Sequence, residues 1–244
     1  LSTHLIISDG QVKPGTDLDH WFSLGKLACN VRPDVIINIG DFWDMPSLSS
    51  WDKGKMAAEN RRYEADIDAG NEAMEAFLSP LIKQKKKLPE MHFTLGNHEN
   101  RIERYVESNP VLEGKLSYND LNLSRWHVHD FLKPVSIDGV SYAHYFYNPH
   151  TGKPHSGTIQ NKLKSIGCSF TQGHLQALEW TRKELANGKT IMGMVTGAYY
   201  QHDETYKGPQ GNHHWRGVVV KRNVTDGQYD FETWNIKRVL REFN

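Results

Sequence analysis

Short, largely apolar runs alternate with longer stretches of helical periodicity through the first half of the chain. Residues 5–8, 35–39 and 92–95 are rich in Leu, Ile, Val and Phe, the form of strands buried on both faces. Between them, residues 17–30 have the spacing of an amphipathic helix capped near Thr16 or Asp17. Residues 57–87 predict one long helix, or two with a break near Gly70 or Pro80. The alternation is βαβαβ, which implies parallel strands.

From residue 126 onward the period shortens. Residues 126–129, 134–137 and 140–146 read as strands, with Asp138-Gly139 as the turn between the last two. A short helix over 158–166 precedes a strand over 168–172. Residues 178–184, 190–195, 215–222 and 229–238 then read as antiparallel strands, with turns at Asn187-Gly188 and Asp226-Gly227. The expected architecture is α/β: a two-layer β-sandwich flanked by helices.

Composition narrows the class without changing that picture. The 244 residues suit a single domain over 1–244, and 38% hydrophobic with 24% charged residues describes an ordinary globular chain. No window has the long uncharged run of a membrane helix, and the first seven residues read as strand rather than leader, so the expected address is the cytoplasm. Cys29 and Cys168 are too few for a disulfide framework and read as core thiols. With 29 basic against 29 acidic residues, the chain lacks the basic excess of a duplex-binding protein. Lys83, Lys85, Lys86 and Lys87 read as a solvated helix end that suits the helix dipole.

Each predicted strand is followed by residues of ligand type. Asp9-Gly10-Gln11 follows the first, Gly40-Asp41-Phe42-Trp43-Asp44 the second and Gly96-Asn97-His98-Glu99 the third. His144 ends a later strand and Gly173-His174-Leu175-Gln176 another. Open α/β sheets bind ligands at such carboxyl ends. Taken singly, Asp9 and Asn97 suit turns, and His144 suits an aromatic core with His150 and His155 as nearby competitors. Five such clusters at successive strand ends are harder to explain by turn chemistry alone.

In that order the clusters resemble the signature of the calcineurin-like metallophosphoesterases: DxH, GDxxD, GNHE, a lone His, then GHxH. The likeness spans Asp9 to Gln176, and DxQ, Asp41-Phe42-Trp43-Asp44 and the Arg101 of GNHExR resemble members common in tailed phages. The resemblance implies the α/β/β/α form of the sandwich and a site for two divalent metal ions, with manganese favoured over magnesium, zinc, iron or nickel. Asp41 would bridge the two. Asn97, His144 and His174 would complete one site; Asp9, Gln11 and Gln176 would complete the other. His98 would act as general acid, oriented by Asp44, with Arg101 on a substrate phosphate.

Gln11 and Gln176 stand where the family pattern has histidine. An amide oxygen is a hard neutral ligand, better matched to manganese, magnesium or calcium than to zinc. The alternative is that neither glutamine touches metal and water fills the gap. Such a cluster suits phosphoester hydrolysis, because paired cations clamp an anionic ester and make a water nucleophilic near neutral pH.

The expected substrate is a phosphodiester, in a nucleotide or a single-stranded nucleic acid. A phosphomonoester, or a binding role on a weakened site, is the alternative. Tyr199, Tyr200, His202, Asp203, His213, His214 and Trp215 form a further polar-aromatic stretch that suits either base stacking or strand packing. Phage ancestry would place the protein in the host cytoplasm.

Overall fold

The early apolar runs form β1 (Ser2–Ile7), β2 (Val35–Asn38) and β3 (Glu90–Thr94), which pair in parallel, with β4 (His127–His129) parallel beside β3. The crossover helices are α1 (Asp19–Val31) and α2 (Tyr63–Lys83), and α3 (Arg101–Ser108) follows β3. A second sheet holds β5 (Val135–Ile137), β6 (Val140–Ala143), β7 (Phe170–Gln172), β8 (Leu178–Glu184) and β9 (Thr190–Thr196), in the order β5-β6-β7-β9-β8, with α4 (Ile159–Ile166) outside it. The chain then returns to the first sheet. There β10 (Gly217–Thr225) pairs antiparallel with β1, and β11 (Gln228–Asn235) closes that edge before α5 (Ile236–Phe243). The computed structural model describes residues 1–203 and 213–244.

Strand alternation assigns each side chain to a layer. Leu5, Ile7, Val218 and Val220 pack outward against Trp21 and Leu24 of α1, Phe77 of α2 and Val239 of α5. Ile6, Ile37 and Val219 point the other way and meet Tyr142, Met192 and Met194 of the second sheet. That sheet's outer face, with Phe170, Ile191 and Val195, is covered by Ile159 and Leu163 of α4. Each such aliphatic side chain contributes about 1.5–3 kcal/mol on burial. The result is the α/β/β/α sandwich anticipated from the alternating pattern.

Several boundaries differ from the sequence expectation. The long helix begins only at Tyr63; residues before it make short 3-10 turns, including Met56–Ala58. Neither Gly70 nor Pro80 interrupts it. A Cβ at Gly70 would lie 1.9 Å from Trp43 Cδ1, so this glycine lets the helix cross the buried indole. The strand expected over 229–238 stops at Asn235, whose Oδ1 accepts the Lys237 N–H at 2.9 Å and starts α5. Cys29 and Cys168 are free and half-buried, so they are not fully enclosed core thiols. No helix among the described residues is long and apolar enough to cross a membrane.

A buried lysine sits between the sheets. Lys221 of β10 is fully buried; its Nζ donates to Thr171 Oγ1 of β7 and lies 3.9 Å from the centre of the Tyr229 ring. Burial holds its ammonium well below the usual lysine value. The unfolded chain therefore binds more protons than the folded one between that depressed value and about pH 10.4. Stability should rise with pH across this window, by up to about 1.4 kcal/mol per unit from this residue. Urea unfolding of Lys221→Met at pH 8 and pH 10 should show a smaller rise than the wild type, with the variant gaining most at the lower pH. Equal slopes in the two proteins would mean that Lys221 is charged in the folded state.

Candidate metal centre

Backbone pairing continues beyond the ends of β1 and β2 and carries their loops together. Gly40 O accepts the Asp9 N–H, Asp41 O accepts that of Gln11 at 2.8 Å, and Phe42 O accepts that of Val12 at 2.8 Å. Asp9, Gln11, Asp41, His174 and Gln176 all have positive φ, between 42° and 66°. Such backbone is costly for residues with a Cβ and clusters at functional sites. Here it turns side chains from three strand ends toward one place.

Glu99 fixes these loops. Its carboxylate is fully buried and accepts four backbone N–H groups: Asp41 at 2.9 Å and Gly96 at 2.8 Å on Oε2, Phe42 at 2.7 Å and Trp43 at 3.1 Å on Oε1. Burial, then the charge of Asp41, raises its carboxyl above the usual value, and the amide donors oppose this. Gly96 is needed at the same junction, since a Cβ there would stand 2.2 Å from Asp41 Oδ1.

Four donor atoms converge beside this clamp. His144 Nε2 lies 3.2 Å from Asp41 Oδ2, 3.0 Å from Asn97 Oδ1 and 3.2 Å from His174 Nδ1. Its Nδ1 is 2.8 Å from Ile39 O and donates to that carbonyl, which leaves the Nε2 lone pair for the cluster. Asp41, His144 and His174 can offer ligand atoms that all lie within 4.8 Å of one another. His150 and His155, the competing histidines, are exposed and half-buried, and neither joins this group.

The Asp9 side of the site is poorer in nitrogen. Asp9 Oδ2 accepts from Ser8 Oγ and from the His174 N–H at 2.9 Å, whereas Asp9 Oδ1 and Gln11 Oε1 are buried with no hydrogen-bond partner. Two unsatisfied buried oxygens in one loop cost free energy that a cation would offset. Gln176 is buried, and its Oε1 accepts from the Tyr200 hydroxyl at 3.0 Å. The donor set around His144 fits a cation, and the Asp9 loop adds two unpartnered buried oxygens of a kind that would suit a hard cation.

Charge coupling runs through the cluster. Burial would raise Asp41, but the charges of His144 and His98 outweigh it and hold the carboxyl well below the usual range. Burial would lower His144; Asp41 outweighs it and raises that imidazole to about 9. Asp9 is pushed up to about 6, by burial first. A cation in the cluster would displace the His144 proton and favour ionised Asp9.

His98 stands at the edge of this group. Its backbone N–H donates to Asp41 Oδ1 at 2.9 Å, its Nδ1 lies 2.8 Å from Asp44 Oδ1, and its Nε2 is 3.6 Å from Asp41 Oδ2. Burial lowers the imidazole, yet Asp41 and the Asp44 hydrogen bond raise it further, so it sits above the ordinary histidine value. Arg101 Nη2 is 3.2 Å from His98 Nε2, while its Nη1 donates to Asp44 O at 2.7 Å and Met45 O at 3.2 Å.

Tyr199 and Tyr200 are fully buried, so the late aromatic stretch does not offer those two faces for base stacking. Tyr199 instead donates to His20 O and Tyr200 to Gln176. Two open grooves of about 430 and 650 Å³ lie along α3 and the start of α2, and neither is lined by a member of the metal cluster. Nothing in the sequence separates the clamping role of Glu99 from the ligand-type residues around it. The packing role of Tyr200 is equally unmarked.

The Metallophos family model, described as calcineurin-like phosphoesterase, matches residues 5–234. No curated protein matches the chain. Yfce, a phosphoesterase from E. coli, is 12% identical over 96% of this chain and 99% of its own, with a TM-score of 0.45. Chaetomium thermophilum Vps29 is 8% identical over 96% and 97%, with a TM-score of 0.46.

The Glu99 clamp can be tested apart from catalysis. Glu99→Gln keeps one acceptor oxygen and turns an amide NH2 against two backbone N–H donors. It should cost about 2–5 kcal/mol, read as a lower urea midpoint. A midpoint within about 0.5 kcal/mol of the wild type would contradict the clamp.

Proposed function

Because the chain belongs to the calcineurin-like phosphoesterase family, we propose that it hydrolyses a phosphodiester bond in a nucleotide or a short single-stranded nucleic acid. The observation that carries this reading is the convergence of Asp41, Asn97, His144 and His174 on one point beside the buried His98–Asp44 pair. Family membership implies dependence on metal. Bound cations would supply Lewis-acid polarisation of the phosphoryl group and an activated water.

The chain's own residues are assigned as follows. Asp41, Asn97, His144 and His174 would hold one cation, and Asp9, Gln11 and Gln176, together with Asp41, would hold the other. Gln176 contributes the lone pair that Tyr200 leaves. With one side lined only by oxygen, manganese is the favoured ion. The departing alkoxide needs a proton, and His98 is placed to deliver one from Nε2, with Asp44 holding Nδ1, once Arg101 Nη2 turns from Nε2 to the substrate. Arg101 reaches a substrate oxygen from the rim; it is half-buried, with part of its fork already on carbonyl oxygens.

That single, partly committed guanidinium suits the one negative charge of a diester better than the dianion of a monoester. The neutral charge balance likewise favours a short strand over a long duplex. DxQ and GNHExR support a phage-type subgroup, and with it work in a host cytoplasm.

The test compares a chromogenic diester with its monoester, after chelation and after adding back manganese, magnesium or zinc. The proposal expects diester turnover that chelation abolishes and manganese restores best. His98→Ala should lose about 10²–10⁴-fold in kcat with KM little changed. Preference for the monoester would overturn the substrate assignment. No turnover of either ester with any ion would favour a binding role on the same fold.

A further inference from the structure

A half-buried tyrosine stands beside the metal centre and carries none of the roles assigned above. Tyr145 directly follows His144, just past β6, and its ring centre lies 4.9 Å from that of His174. Phe131 meets the ring nearly perpendicular, with centres 5.6 Å apart. The ring is thus held against the cluster while part of it stays in solvent. Its hydroxyl makes no hydrogen bond among the described residues, whereas the hydroxyls of Tyr199 and Tyr200 are both engaged in the core.

His98 and Tyr145 border different members of the cluster. His98 Nε2 is 3.6 Å from Asp41 Oδ2, and Tyr145 packs on His174. The helix α3 links the two borders. Arg101 Nη2 stands 3.2 Å from His98 Nε2, and Arg104 follows one turn later on the same helix face. Burial raises the Tyr145 phenol, the charge of Asp41 adds to this and that of Arg104 opposes it, so the hydroxyl lies within electrostatic reach of both. Arg104 is exposed and forms no ion pair among the described residues. An open aromatic ring beside an unpaired cation suits a single-stranded nucleic acid, with a base on the ring and a phosphate on the cation.

The reaction gives such a ring a defined partner. Hydrolysis of a diester joins the water oxygen to phosphorus and breaks the bond to the leaving oxygen, which takes a proton from His98. The proton released by the water returns to His98 through solvent. The second ester group stays on phosphorus throughout. With the leaving oxygen at His98, the retained group is directed to another border of the cluster, and Tyr145 offers an aromatic surface there. A monoester has no retained group, so this contact belongs to diesters alone.

We propose that Tyr145 is a specificity-determining residue whose ring stacks on the base of the nucleoside that remains esterified to phosphorus. The inference rests on the phosphodiester reading above and narrows it to esters with an aromatic retained group.

Two diesters with the same leaving group make the test: thymidine 5′-(p-nitrophenyl phosphate) and methyl p-nitrophenyl phosphate, with the manganese-loaded full chain as wild type, Tyr145→Leu and Tyr145→Phe. Wild type should favour the thymidine ester by about tenfold or more in kcat/KM, chiefly through KM, as expected for one stacked base. Tyr145→Leu should lose most of that ratio and Tyr145→Phe should keep it. Binding of thymidine 5′-monophosphate, the product that keeps the retained group, reads the same contact without turnover. By calorimetry it should be at least about fivefold weaker in Tyr145→Leu. In the magnesium-loaded wild type the thymine methyl should show a nuclear Overhauser contact to the Tyr145 ring, a measurement that stands even if Tyr145→Leu does not fold. Such binding in a protein that cleaves neither ester would uphold the Tyr145 assignment while the phosphodiester reading fell. Cleavage of both esters with the same ratio in wild type and Tyr145→Leu, or a wild type that shows no thymine contact at Tyr145, would overturn the proposal.

Discussion

Three carboxylates, those of Asp9, Asp41 and Glu99, are buried together at the carboxyl ends of the parallel strands, and charges so close must be compensated or neutralised. Glu99 is compensated by four backbone N–H groups and Asp41 by the imidazoles of His144 and His98. Asp9 is compensated least: burial pushes it up to about 6 and its Oδ1 has no partner. The left-handed turns and the Gly96 contact follow from bringing these groups into one volume.

The same constraint explains how the site is held. Loops carrying ligands are mobile unless something ties their backbone, and here one carboxylate ties the β2 and β3 loops while His174 N–H ties the β7 loop to Asp9. Placing this clamp on the strand ends lets the two packed sheets set its geometry. The segment that follows β9 matters for the same reason, since it presents Tyr199 N–H to Asp9 O at 3.1 Å, while β10 pairs along β1.

Much of this is legible in the sequence where the physics is local. Buried strands declare themselves as β-branched runs, so β2 and β9 lie close to where the pattern places them, and the clusters at their ends follow from parallel topology. Helix ends are less legible: residues 57–62 have helical composition but form turns. Residues 229–238 read as one strand, yet Asn235 ends it and caps the helix over 236–243. The placement of Asp41, His144 and His174 in one group could be expected from the order of motifs, whereas the four amides on Glu99 could not. Neither could the Tyr200 hydroxyl on Gln176, because both depend on long-range packing that no window of sequence contains.

We propose that this buried anionic cluster holds two cations that share Asp41. The most direct measurement is anomalous diffraction at the manganese edge from crystals grown with manganese. The account predicts two peaks, one in contact with Asp41, Asn97, His144 and His174 and the other with Asp9, Gln11 and Asp41. A single peak, or peaks that leave Asp9 Oδ1 and Gln11 Oε1 without a metal contact, would contradict it.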